Sequence, residues 1–362
     1  GFANAYARRA IARSWGIHTE EINLTPANIE KCLSDIKRAT LINKDMTDIQ
    51  IALGFYYYYC KKDYLNALIS FKTADIKDPE NYQPSFYMAM VYRAMGEWEK
   101  VHTLINKVIK FNLKEPLYLT NIGSSFDYLH LFDSALIYHQ KAINADPEWP
   151  ASYNNKIESL YRKYGNTFAA RSLLDSAIRN THENYNEIKI GLDIYNGKYS
   201  EAFSEAVLSS PDDFAPRGNR YIYLANISHL MNNPENASKY YDSALVDLNL
   251  KLTADINNPF IHSLMGLAYA GKRKKDKAID EGKKAIELTV ADKNKMDECD
   301  MIVTLAQIYT MLGLFDDALY NIEYSLKNPS NFSTKLLQLD PVWKPLYSLP
   351  DFQSLVKKYS EK

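Results

Sequence analysis

Pairs of small residues spaced seven apart recur along this chain at a nearly constant interval. They stand at Cys32/Ala39, Ala67/Ala74, Val101/Val108, Ala135/Ala142, Ala170/Ala177, Ala202/Ser209, Ala237/Ala244, Ala278/Ala285 and Ala318/Ser325. Their first members are 35, 34, 34, 35, 32, 35, 41 and 40 residues apart. Seven residues are two helical turns, so each pair puts two small side chains on one stripe of one helix. Alanine is common and one such pair would mean nothing, but nine in register at one period define a repeat. A unit of this length cannot bury an apolar face alone, so neighbouring units must stack.

Flanking residues repeat as well. From Gly54 to Ala67 is 13 residues, from Ala67 to Ala74 is 7, and from Ala74 to Pro79 is 5. Gly123, Ala135, Ala142 and Pro147 follow the same grammar at 12, 7 and 5. Small residues let antiparallel helices approach, and aromatic residues fill the space between units. Asp78-Pro79 and Asp146-Pro147 end one helix and set the next, because a residue before proline is pushed out of the α region.

This pattern resembles the tetratricopeptide repeat, a helix–turn–helix of about 34 residues. Gly54, Tyr57, Ala67, Phe71 and Pro79 carry the likeness. So do Ala89, Tyr92 and Gly96; Gly266, Tyr269 and Ala278; and Ala306, Tyr309, Gly313 and Ala318. The resemblance implies an all-α fold, an α-solenoid of about nine antiparallel helix pairs forming a superhelix over residues 1–328, with a C-terminal capping segment at 329–362. Units near 150–210 are degenerate, with Lys156 or Ile157 where a small residue is expected, and the last units are lengthened. The tail, with Trp343 and Phe352 as anchors, is similar to the closing segment of bacterial multidomain regulators, whose tetratricopeptide arrays follow a cyclase, kinase or DNA-binding domain. The opening "FANAYARRAIARSW" is similar to their first array helix. The chain therefore reads as the C-terminal part of something longer. Stability should be distributed along such an array, so Ala135→Trp should unfold part of it rather than all.

Little points to chemistry. The seven histidines have no cysteine at ligand spacing and no H-E-x-x-H, so no metal is expected. There is no nucleophile elbow and no glycine-rich phosphate loop. The chain is expected not to be an enzyme and to take no cofactor. With 43 basic and 44 acidic residues the formal charge is −1, which gives no field for nucleic acid or anionic lipid. The basic run at 272–277 falls in an inter-helix turn. No apolar run approaches a membrane span. Three separated cysteines, Cys32, Cys60 and Cys299, suit a reducing, cytoplasmic setting.

In tetratricopeptide arrays the first helix of each unit lines a concave face that takes extended peptides. By register that face presents Phe55, Tyr58 and Tyr59, then Phe86, Tyr87, Met90 and Arg93. Thr120, Asn121, Ser124 and Tyr128 follow, then Asn155 and Arg162, then Tyr223 and Asn226. Asparagine can bond peptide amides in both directions, and arginine can fork onto a carboxylate. The lysines of the clamp that reads acidic chaperone termini are not evident in this register. The expected function is a non-catalytic module binding a peptide or protein partner on this face. The alternative is a regulatory region serving an upstream cyclase, kinase or transcriptional effector. Within the run Tyr56–Tyr59, a regular helix at about 100° per residue puts Tyr57 in the core and Tyr56 against a neighbouring helix. Tyr58 and Tyr59 then face the concave side, and Cys60 ends the helix.

Overall fold

The computed structural model describes residues 1–19, 21–214 and 218–360. Among these the fold is an all-α solenoid of antiparallel helix pairs. The second helix of each pair carries the small-residue stripe. All eighteen stripe residues are at most 3% exposed, seventeen of them within helices and Ser209 at a helix C-cap. That burial is the reason for the period: each stripe is where two helices meet with no side chain between them.

Helix starts are set locally. Asn81, Asn166, Asn219, Asn233, Asn258 and Asn294 each accept a first-turn backbone N–H at a helix N-cap, and Thr25 and Asp63 do the same. Pro26, Pro116, Pro150, Pro234, Pro259 and Pro350 occupy first-turn positions, where no N–H is missed. Gly96, Gly165 and Gly313 end helices in the left-handed region, at φ of 74°, 61° and 76°.

The chain divides into two compact units, residues 1–113 and 114–362. The first holds three pairs: Phe2–His18 with Pro26–Ile42, Thr47–Phe55 with Tyr64–Lys77, and Tyr82–Met95 with Trp98–Val108. Thr47–Phe55 runs on into a π-helical turn, Tyr56–Cys60, closed by Lys61 N–H to the Tyr56 carbonyl at 3.2 Å. The wider turn changes the phase assumed from a regular helix. Tyr56 becomes the buried core residue, at 5% exposure, while Tyr57 only packs half-buried against that core. The expectation for these two tyrosines is therefore corrected.

The second unit holds six pairs, from Pro116–Tyr128 with Phe132–Ala145 to Lys295–Leu312 with Phe315–Lys327. In the degenerate stretch, Asn186–Tyr195 and Tyr199–Leu208 are ten residues each, whereas Pro234–Ala254 later runs to 21. The tail forms Thr334–Leu339, a 3₁₀ turn at Pro341–Leu346, and Pro350–Tyr359. Its Phe332, Leu337, Trp343, Leu346, Phe352 and Leu355 pack with Ala306, Ile322 and Leu326 of the last pair.

The tail also returns to the beginning of the second unit. Ser330 donates its N–H to the Tyr128 carbonyl at 3.0 Å, and His130 Nε2 bonds the Ser330 carbonyl at 3.0 Å. Ser333 Oγ donates to the Arg162 carbonyl at 2.8 Å, and Lys344 Nζ reaches the Tyr199 hydroxyl at 3.4 Å. No periodicity could show this, because the partners lie up to 200 residues apart.

Candidate functional site

In the first unit, three successive first helices enclose a groove of about 240 Å³. Arg8 and Ile11 come from Phe2–His18, Asp48, Ile51 and Phe55 from Thr47–Phe55, and Gln83 and Tyr87 from Tyr82–Met95. The floor is apolar and packed: Ile51, Phe55 and Tyr87 are 3%, 2% and 8% exposed, and the Phe55 and Tyr87 rings meet edge-on at 4.5 Å. Phe71 stacks beneath Tyr87 at 5.5 Å. The rim is polar. Asp48 accepts from Asn4 at 2.6 Å, while the exposed Arg8 makes no ion pair among the described residues. The groove thus offers aromatic surface below and an uncommitted guanidinium above, so it can hold an apolar side chain and fork onto a carboxylate together.

The residues expected from the sequence fall out differently in this unit. Phe55 and Tyr87 line the groove, and Tyr87 does so as floor rather than as projecting surface. Phe86 is 2% exposed and packs edge-on against Tyr87 at 5.3 Å, so it is core and not contact surface. Tyr58 and Tyr59 are half-buried. The Tyr58 hydroxyl donates to the Met90 carbonyl at 3.1 Å. Tyr59 stacks on His18 at 4.3 Å and meets Trp15 and Phe55 at 5.8 and 5.5 Å. Burial pushes the Tyr59 hydroxyl well above its ordinary range, with half-buried Arg93 acting weakly the other way. These two tyrosines tie the first three pairs together. Arg8, Asp48 and Gln83 were not read from the sequence; Arg8 lies in the opening helix, which the stripe beginning at Cys32 gives no register.

In the second unit the expected residues are largely engaged within the fold. Asn121 Nδ2 donates to the Leu117 carbonyl at 2.9 Å, and Tyr128 is 4% exposed with its carbonyl taken by Ser330. Tyr128 is thereby corrected from open surface to core. Asn155 is half-buried, with its carbonyl accepting from Ser159 at 2.8 Å. Arg162 is ion-paired to Glu158 with its side chain 10% exposed. Burial opposes its charge, but Glu158 and then Asp127 more than restore it, so the guanidinium stays charged. Tyr223 donates to Glu187 at 2.9 Å, and Asn226 accepts from the Tyr241 hydroxyl at 2.7 Å.

Around these residues lies a polar interior. Tyr161 and Tyr195 meet edge-on at 5.7 Å, and burial raises the hydroxyls of Tyr161, Tyr195 and Tyr223. Burial likewise raises Glu187, against the hydrogen bond from Tyr223. The tail contributes Asp340, which burial pushes up to about 6 although the Val342 N–H holds its charged form. Its charge acts on both Tyr195 and Tyr223.

One constellation looks catalytic by composition. Asp127 accepts from Ser159 at 2.8 Å and bonds His139 Nε2 at 2.9 Å, with all three residues at most 1% exposed. The carboxylate stands between the hydroxyl and the imidazole, so the imidazole does not face the serine and the serine–histidine–aspartate order of a hydrolase triad is not formed. It is a buried structural network beneath Gly123, where an added Cβ would meet the His139 ring at 2.4 Å. Among the described residues no group of three His, Cys, Asp or Glu could hold a metal, and no helix is long and apolar enough to cross a membrane.

The fold and the grooved first helices define a solenoid of the tetratricopeptide type. The chain is similar in structure to solved proteins. A tetratricopeptide repeat protein from Parabacteroides merdae superposes with a TM-score of 0.52 at 17% identity, over 73% of this chain and 98% of that one. The Cut9-Hcn1 hetero-tetramer of the APC/C gives 0.48 at 14%, over 99% of this chain and 63% of that one. The pilF protein of Pseudomonas aeruginosa gives 0.36 at 15%, over 67% and 97%. No protein-family model matches the chain, and no curated protein matches it.

Proposed function

We propose that this chain is a non-catalytic partner-binding module whose working surface is the groove of the first unit, which takes an extended peptide segment of a partner protein. One observation carries the reading. Three successive first helices converge on an aromatic floor with, at its rim, an arginine that makes no ion pair among the described residues, whereas the corresponding face of the second unit is bonded to the chain's own tail. The ligand this groove suits is an apolar residue flanked by an acidic one, the apolar side chain on Phe55 and Tyr87 and the carboxylate on Arg8.

Peptides selected from a random display library against the full chain supply the probe, and fluorescence polarisation gives their affinities. Arg8→Glu should weaken binding at least tenfold, since it places like charge at the carboxylate's partner. Arg162→Ala, in the second unit, should leave binding within twofold. Unchanged affinity in Arg8→Glu with loss in Arg162→Ala would overturn the assignment.

A further inference from the structure

Where the tail meets the second unit it closes a pocket of about 360 Å³, half open to solvent. The geometry points to a binding site for a phosphate-type oxyanion in this pocket. Its walls come from three places: the first turn of Phe132–Ala145, the end of Pro150–Tyr164, and the tail.

Several of the donors that line it have no acceptor among the described residues. Lys335 is half-buried, its stem packed over Gly165 with Cβ and Cδ 3.9 Å from where a Cβ would stand, and it makes no ion pair or hydrogen bond among the described residues. Thr334 is 7% exposed, and neither its hydroxyl nor that of Ser134 makes a hydrogen bond among those residues. Arg162 lines the same pocket with its side chain nine-tenths buried and one arm on Glu158. The Phe132–Ala145 helix opens at Leu131, which supplies no side-chain cap, so its first N–H groups also have no capping acceptor among the described residues. The one acid in the lining, Asp133, is already paired with Lys163.

A buried donor without an acceptor costs free energy, and several facing one cavity are best satisfied by a single multivalent acceptor. A tetrahedral oxyanion offers oxygens in the three directions from which these groups approach. Bound there it would touch both the repeat helices and the tail, and so would tighten the tail's return onto Tyr128 and Arg162. This site stands independently of the groove in the first unit.

Inorganic phosphate against chloride at matched ionic strength, with the full chain, is the direct test. Isothermal titration should give one site, and phosphate at ten times its Kd should raise the Tm by roughly 3–6 °C. Lys335→Ala should weaken binding at least fivefold while melting near wild type in chloride, and Lys335→Arg should restore it. Thr334→Val should also weaken it, a check that does not alter charge. A phosphoserine peptide titrated in parallel separates the sources of the anion. Tighter peptide binding assigns it to a phosphorylated partner, and equal or weaker binding to a free phosphate compound. No heat and no Tm rise with either probe, or equal binding by wild type and Lys335→Ala, would overturn the site.

Discussion

Gly54 and Gly191 should respond in opposite directions to the same substitution. Both lie inside helices, where glycine is about 1 kcal/mol worse than alanine. At Gly191 an added Cβ meets nothing within 4 Å, so Gly191→Ala should stabilise by about 0.5–1 kcal/mol. At Gly54 the Cβ would lie 2.4 Å from Phe71 Cε1 and 2.6 Å from Cδ1 and Cζ. Phe71 is fully buried, with Phe55 and Tyr87 at 6.1 and 5.5 Å between ring centres, so the ring has nowhere to retreat. Overpacking of this kind costs about 1–3 kcal/mol, and three close atoms place it at the upper end. Set against the gain in helix propensity, Gly54→Ala should lose about 1–2 kcal/mol. Urea denaturation followed by circular dichroism measures both. Gly54→Ala at or above wild-type stability would refute the claim that the repeat's small residue exists to seat the facing aromatic ring.

Asp340 links stability to pH. Its folded pKa of about 6 lies above the ordinary 3.8, so its contribution is full below about pH 4 and is lost as pH rises through 6. The shift corresponds to at most about 3 kcal/mol, reduced because the carboxylate is partly wetted. Asp340→Asn keeps the cap on Val342 and should be more stable than wild type at pH 7 by about 1–2 kcal/mol, with the difference vanishing near pH 4; destabilisation at pH 7 would contradict the buried placement. The thiols should be silent in the native chain, since Cys32, Cys60 and Cys299 are 0%, 6% and 9% exposed. Neighbouring Cys60, and then Ser14, draw the Cys32 thiol down to about 7, yet burial should still keep its reaction with a disulfide reagent far slower than in urea. Rapid native labelling of Cys32 would show that the first core is open.

The repeat was legible because its cause is local and geometric. Ala135 and Ala142 can be small for no reason but helix approach, and both are fully buried. What the sequence hid was anything set by non-local packing. The π-helical turn moved Tyr56 inward and Tyr57 outward, a phase change that no composition of four tyrosines announces. Six asparagines serve as helix caps, local tasks that compete with any reading of asparagine as a peptide binder. Ser330 and Ser333 find carbonyls at Tyr128 and Arg162, and serine is too common for that return to be foreseen. The groove's arginine lay in the opening helix, ahead of the first small-residue stripe.

Hydrogen–deuterium exchange of the full chain with and without a selected peptide tests the central claim most directly. Binding in the first-unit groove should slow exchange in the Phe2–His18, Thr47–Phe55 and Tyr82–Met95 helices and leave the tail, already bonded to Tyr128 and Arg162, unchanged. Protection confined to the second unit, or release of residues 330–339 on binding, would contradict it.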